Sequence, residues 1–211
     1  MKPFTVLPNV SIEPVGTISN RILQLNLRTV HEACDWVQKL TYGSNSSNND
    51  SEILFDELQG TCTSKHGAIA RLAEELQLPI QKHLGFYRLT DRIVTGVSEI
   101  LQRYDLEFLP QIHCFLIYND LRVDLTEGNC NGKNLTIEDY DFVVPVQPDI
   151  DEATETRHYL SCLERYRDIH PRFQQLEPEA VLQIREECDR QVKYQCSVMA
   201  NRLGRVISYP M

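Results

Sequence analysis

The chain has 211 residues, a formal net charge of −9, 42% apolar residues and 24% charged ones. That length suits one domain, or one domain with a helical extension, and the composition suits a soluble protein with a core. The acidic balance and the lack of a basic stripe argue against nucleic acid, and no run approaches the ~18 apolar residues of a membrane span.

Residues 1–15 hold three prolines and no clear period, and the start Met1-Lys2-Pro3-Phe4 lacks the apolar run of a signal peptide. Residues 19–40 predict one amphipathic helix, with Ile22, Leu23, Val30, Ala33, Cys34 and Val37 on its apolar side. The polar stretch from Thr41 to Asp50 predicts a loop, read either as a mobile connection or as a flap that sets Tyr42 beside a cleft. Ile53, Leu54, Phe55 and Leu58 suggest a short helical turn leading into Gly60-Thr61-Cys62-Thr63-Ser64-Lys65-His66. Ala68, Ile69, Leu72, Ala73 and Leu76 then recur at helical spacing until Pro79. Thr61 is the expected N-cap, so Cys62 falls in the first turn, where the helix dipole favours thiolate.

Residues 80–89 predict a strand, Val97 to Tyr104 a short helix, and residues 112–118 a second strand. Asn119-Asp120 reads as a two-residue turn, with Leu121 to Leu125 returning. In that register paired residue numbers sum to 239, which leaves His113 and Asp124 as diagonal neighbours on one face. Residues 127–134 predict a loop rich in Gly and Asn, and residues 141–150 an extended connection. Helices are expected over 152–168 and 178–203. The expected domains are therefore a core over 1–150 and a helical extension over 151–211 packed on it.

An activated cysteine needs a base and a group that orients the base. Cys62, His113 and Asp124 supply these types in an order that lets the carboxylate hold one imidazole nitrogen while the other faces the sulfur. The backbone N–H of Cys62 is one oxyanion donor, and the Gln59 amide is the candidate for a second. Lys65 and His66 are candidate cleft residues, Lys65 for positive potential and His66 because it lies one turn after Cys62. A lone Cys, His and Asp occur in almost any chain, and His66 reads as readily as a packing histidine.

The seven cysteines, at 34, 62, 114, 130, 162, 188 and 196, include no CxxC pair and no zinc-like spacing. Reduced thiols in a cytoplasm are the expectation, with no metal and no cofactor. A redox role for Cys62 needs a resolving cysteine, and none lies near it in the sequence.

Gly60 to Ala68, followed by a helix, resembles the nucleophile motif of bacterial transglutaminase-like proteins. Leu40-Thr41-Tyr42-Gly43 and Gly85-Phe86-Tyr87-Arg88 resemble a subset of that superfamily whose activity is uncharacterised. The resemblance covers roughly residues 20–150. It implies an α+β fold of papain-like type, with a Cys-bearing helix packed on an antiparallel sheet that carries His113 and then Asp124. The chain departs from the family pattern in having Cys114-Phe115 after the histidine and Trp36 as its only tryptophan. No acidic cluster suggests the calcium site of animal transglutaminases. The resemblance thus implies fold and triad more than protein crosslinking. The expected function is cysteine-dependent acyl transfer, with hydrolysis of a peptide or small amide favoured. The alternative is a non-catalytic interaction module of the same fold with a blocked cleft.

Overall fold

The computed structural model describes residues 2–47, 50 and 52–204; part of the polar loop, at 48 and 49, and the end of the chain from 205 lie outside these. After a 3-10 turn at Pro3–Val6, the chain forms α1 (Thr17–Gln24), α2 (Val30–Lys39), β1 (Thr41–Tyr42), α3 (Ile53–Glu57), β2 (Gln59–Gly60) and α4 (Cys62–Glu75). Then come β3 (Gln81–Leu89), α5 (Val97–Arg103), β4 (Leu109–Tyr118), β5 (Leu121–Val123) and β6 (Phe142–Pro145). The last elements are α6 (Glu152–Ile169), α7 (Pro171–Gln174) and α8 (Pro178–Arg202).

The protein is a mixed α+β fold around a four-stranded antiparallel sheet of order β5-β4-β3-β6. A second, two-residue ladder pairs β1 with β2 in parallel, Tyr42 opposite Gly60. Two apolar clusters flank the sheet. In the first, α1, α2 and α4 pack Ile22, Val30, Val37, Ile69 and Leu72 against Leu116 and Val123. In the second, Leu84, Phe86 and Leu109 meet Val97 and Leu101 of α5, Tyr159 and Tyr166 of α6, and Ile184 and Cys188 of α8.

The single helix expected over 19–40 is instead two. Asn26 takes a left-handed φ of 61°, which ends the first. Thr29 and Glu32 then form a capping box that starts the second. The connection expected over 141–150 contains β6, which pairs with β3 through Phe142↔Phe86 to Pro145↔His83. A proline is tolerated there because β6 is an edge strand. The junction at His170-Pro171 holds the short helix α7, with the proline in its first turn. Among the described residues no helix is long and apolar enough to cross a membrane.

Helix α4 is buried around nearly its whole girth, Lys65 and His66 included. Gly67 is what lets it approach the segment before α6: a Cβ there would lie 2.7 Å from the carbonyl oxygen of Pro148. That oxygen already accepts from the buried Lys82 Nζ at 2.8 Å, so it has little room to move. Alanine is the better helix former by about 1 kcal/mol, yet Gly67→Ala is expected to lower stability by roughly 1–3 kcal/mol through overpacking. The urea midpoint measures this, and an unchanged or raised midpoint shows that the 148 segment yields.

Candidate functional site

Cys62 opens α4. The Thr61 side chain caps the helix by accepting from the Thr63 N–H at 3.3 Å. The β1–β2 ladder sets Tyr42 beside this helix start, and Asn45 holds the loop down by donating to the Gln59 carbonyl at 2.7 Å and accepting from Ser64 Oγ at 2.6 Å.

The β4–β5 hairpin has the predicted register, Tyr118↔Leu121 to Leu116↔Val123, and both turn residues are left-handed, Asn119 at φ 48° and Asp120 at 62°. The ladder ends at Val123, so Asp124 lies one residue past β5 rather than on it. There Asp124 Oδ1 accepts from the backbone N–H and the hydroxyl of Thr126, both at 2.7 Å. Its Oδ2 lies 2.7 Å from Nε2 of His113. The Cys62 thiol lies beside the thiol of Cys114 and the His113 ring, close enough for both to shift its pKa. Nδ1 of that ring is 2.9 Å from Lys133 Nζ.

His66 sits beneath these groups, fully buried, with its ring edge-on to His113. Its Nε2 accepts the Leu125 N–H at 2.8 Å, so its proton is on Nδ1, which donates to the Cys62 carbonyl at 2.8 Å. A neutral imidazole therefore fastens the start of α4 to the segment that carries Asp124. Burial pushes its pKa down to about 4 against the pull of Asp124.

The electrostatics follow from contact and burial. Hydrogen bonding from Cys114 holds the Cys62 thiol well below the usual thiol range; burial opposes this, and His113 and Lys133 add to it. For His113, burial and Lys133 both disfavour the charged ring, but Asp124 and Cys62 outweigh them and raise it to about 9. Asp124 is held far below the usual carboxylate range; burial opposes this, and His113, His66 and Lys133 overcome it. Burial lowers Lys133. Lys133 as ammonium can donate to Nδ1 only while the ring is neutral, with its proton on Nε2 toward Asp124. Once Nδ1 takes a proton, two cations are in contact, and the lysine must turn away or lose its own.

A cavity of about 210 Å³ opens on this group. Its walls include Tyr42, Thr63, Tyr87 and Gln111 beside Cys62, His113, Cys114 and Lys133. Glu155 of α6 and Arg185, Asp189, Lys193 and Cys196 of α8 complete it.

Of the residues singled out in the sequence, Cys62, His113, Asp124 and Tyr42 converge here. Three others do not line the cavity. Lys65 runs inward to the Leu40 carbonyl at 2.5 Å. His66 is sealed below the site. Gln59 gives its amide to the Ser44 carbonyl at 2.8 Å. Each side chain leaves Cys62 in a direction that sequence spacing does not specify. The residues missed are Lys133, Gln111, Cys114 and the wall from α8. The only signal for Lys133 was the density of Gly and Asn around it, which marks a loop bent by side-chain hydrogen bonds. The thiol partner absent from the neighbouring sequence is supplied by Cys114, 52 positions along but beside Cys62 in the cavity wall.

Among the described residues no group of His, Cys, Asp and Glu side chains is placed to hold a metal ion. Comparison of the chain with protein-family models, with curated proteins and with solved structures finds no match.

The Asp124 carboxylate favours the charged form of His113, so its removal must lower the ring's pKa. NMR titration is expected to find His113 near 9 in the unmutated protein and clearly lower in Asp124→Asn, with His66 uncharged down to about 4. A His113 titration that ignores the substitution rules out the 2.7 Å contact in solution.

Proposed function

We propose that this protein is a cysteine-dependent acyl-transfer catalyst of transglutaminase-like, papain-like type, acting on an amide or related acyl group of a peptide-like or small substrate. The observation that carries this reading is the single imidazole of His113, held by Asp124 at 2.7 Å on one nitrogen and lining the same cavity as the Cys62 thiol at the start of a helix, a thiol it helps to hold below the usual range. The chemistry follows from the roles these contacts allow. The thiol proton passes to His113 Nδ1, and the sulfur attacks the acyl carbon. The oxyanion forms near the Cys62 N–H. Tyr42, whose hydroxyl is close enough to feel the charge on Cys62, takes over from Gln59 as the candidate second donor. His113 returns the proton to the leaving group, which leaves a thioester on Cys62. Water or an amine, deprotonated by the same ring, then releases the acyl group. Throughout, Asp124 keeps the ring oriented and stabilises its charged form. A cytoplasmic setting, which keeps Cys62 reduced, suits this chemistry.

The alternative, an interaction module without activity, has one observation in its favour. Residues of α8 wall the cavity, and at about 210 Å³ it suits a short acyl group rather than a chain lying across it.

Two experiments test the reading. Iodoacetamide near pH 6.5 is expected to alkylate Cys62 first, because its thiolate is lost only as pH falls through a lowered pKa. Burial holds Cys162 and Cys188 up at about 12, and hydrogen bonding to Cys62, ahead of burial, holds Cys114 up. Equal labelling of all accessible thiols sinks the activated nucleophile. A p-nitrophenyl ester is expected to give a burst of nitrophenolate with the acyl group on Cys62 by mass, absent in Cys62→Ala and slowed roughly 10²–10⁴-fold in His113→Ala. Turnover of an amide substrate should decline above about pH 9, where His113 no longer holds the proton that the amine leaving group needs. No burst and no acylated Cys62 favours the interaction module.

A further inference from the structure

We propose that Lys133 is the anion-recognition group of this cavity, and that the acyl group presented to Cys62 carries a carboxylate close to its carbonyl carbon. This names the substrate class of the site above and rests on Cys62 being its nucleophile.

Lys133 is held by a built loop. Asn129 donates to the carbonyls of Gln38 and Leu40 at 2.6 and 2.5 Å, which anchors one end to α2. Asn131 donates to the Thr126 carbonyl at 3.1 Å and accepts the Lys133 N–H at 3.1 Å. The Asn134 N–H bonds the Ile93 carbonyl at 2.8 Å. Gly132, at φ 78°, presses on α8 so closely that a Cβ would lie 2.5 Å from the Val192 carbonyl oxygen. Its Nζ lies 5.8 Å from the centre of the Tyr87 ring and reaches His113 Nδ1 at 2.9 Å.

The charges around it are already engaged. Glu155 binds Arg185 at 2.8 Å. Asp189 accepts from Gln111 at 2.8 Å and lies 3.9 Å from Arg185. Asp124 is taken by His113 and Thr126. Among the described residues Lys133 makes no ion pair; its nearest polar partner is Nδ1 of the His113 ring, which supplies no negative charge. An ammonium out of bulk water without a counter-ion is costly. The Cys62 thiolate can serve as that counter-ion, but it disappears when the sulfur is acylated. A carboxylate on the acyl group supplies the charge through the whole cycle. It also draws Nζ away from Nδ1 and relieves the contact of two cations when that nitrogen carries a proton, so binding and activation are linked through one side chain.

Two alkylators of similar reactivity and different charge read this out. At pH 7 the ratio of iodoacetate to iodoacetamide rates at Cys62 is expected to exceed that of glutathione by about tenfold or more, the scale of one partly screened charge pair. Lys133→Met and Lys133→Gln should return the ratio to the glutathione value, and Lys133→Arg should keep most of it. In the unmutated protein short dicarboxylates should slow the iodoacetamide reaction at Cys62, and their diamides should not. This arm stands even if the lysine variants fail to fold, which thermal unfolding monitors. Fast labelling with a glutathione-like ratio, or a ratio that survives both neutral substitutions, overturns the role of Lys133 and leaves acyl transfer standing. Slow labelling of Cys62 by both reagents overturns acyl transfer itself.

Discussion

A helix buried around nearly its whole girth must find partners for its polar side chains inside the protein, and α4 is such a helix. Its first two turns carry Thr63, Ser64, Lys65 and His66, all buried. Three of them are satisfied by different parts of the chain: Ser64 by Asn45 in the loop before α3, Lys65 by the end of α2, and His66 by Leu125 after β5. Left unpaired, each would cost about 1–3 kcal/mol or more. The requirement to pair them therefore pulls three distant segments to one end of one helix. Cys62 stands at that end, so the constraint that organises the fold also assembles the cavity.

The site is electrostatically balanced by alternation. Carboxylate, imidazole and thiol run from Asp124 through His113 to Cys62, and Lys133 touches the middle of that series. Each group is shifted in the direction that suits its neighbour's charge. The two imidazoles show how burial and partners divide the work. His113 has a carboxylate at 2.7 Å and is raised; His66 lies 3.5 Å from the same carboxylate, accepts a backbone N–H on the facing nitrogen, and is lowered. The same residue type next to the same acid is held charged in one place and neutral in the other.

The C-terminal helices belong to this arrangement physically. Their apolar stripes join the cluster on one side of the sheet, through Tyr159, Leu163, Ile184 and Cys188. The polar residues of α8 that remain, Arg185 and Asp189, are held by Glu155 and Gln111 and form a wall of the cavity. Access to Cys62 thus depends on how α8 sits against α5 and β4.

Local patterns in the sequence determined much of this protein. The Thr61 cap and the periodicity after it located α4. The two-residue turn at Asn119-Asp120 placed His113 and Asp124 within reach, because a strand alternates with a strict period of two. The break between α1 and α2 was also written locally, in Asn26 and the Thr29–Glu32 box, although the continuous apolar period concealed it. Tertiary structure alone decided which polar groups meet. Lys65 and Lys133 have the same chemistry, and Lys65 is nearer to Cys62 in sequence, yet Lys133 reaches the imidazole while Lys65 points into the core. Gln59 lost its expected role to a carbonyl of the neighbouring loop. Cys114 and the α8 wall arrived from far along the chain. Side-chain direction at a helix start, and the partner across a packed interface, follow from how whole elements stack, and residue spacing carries no record of that.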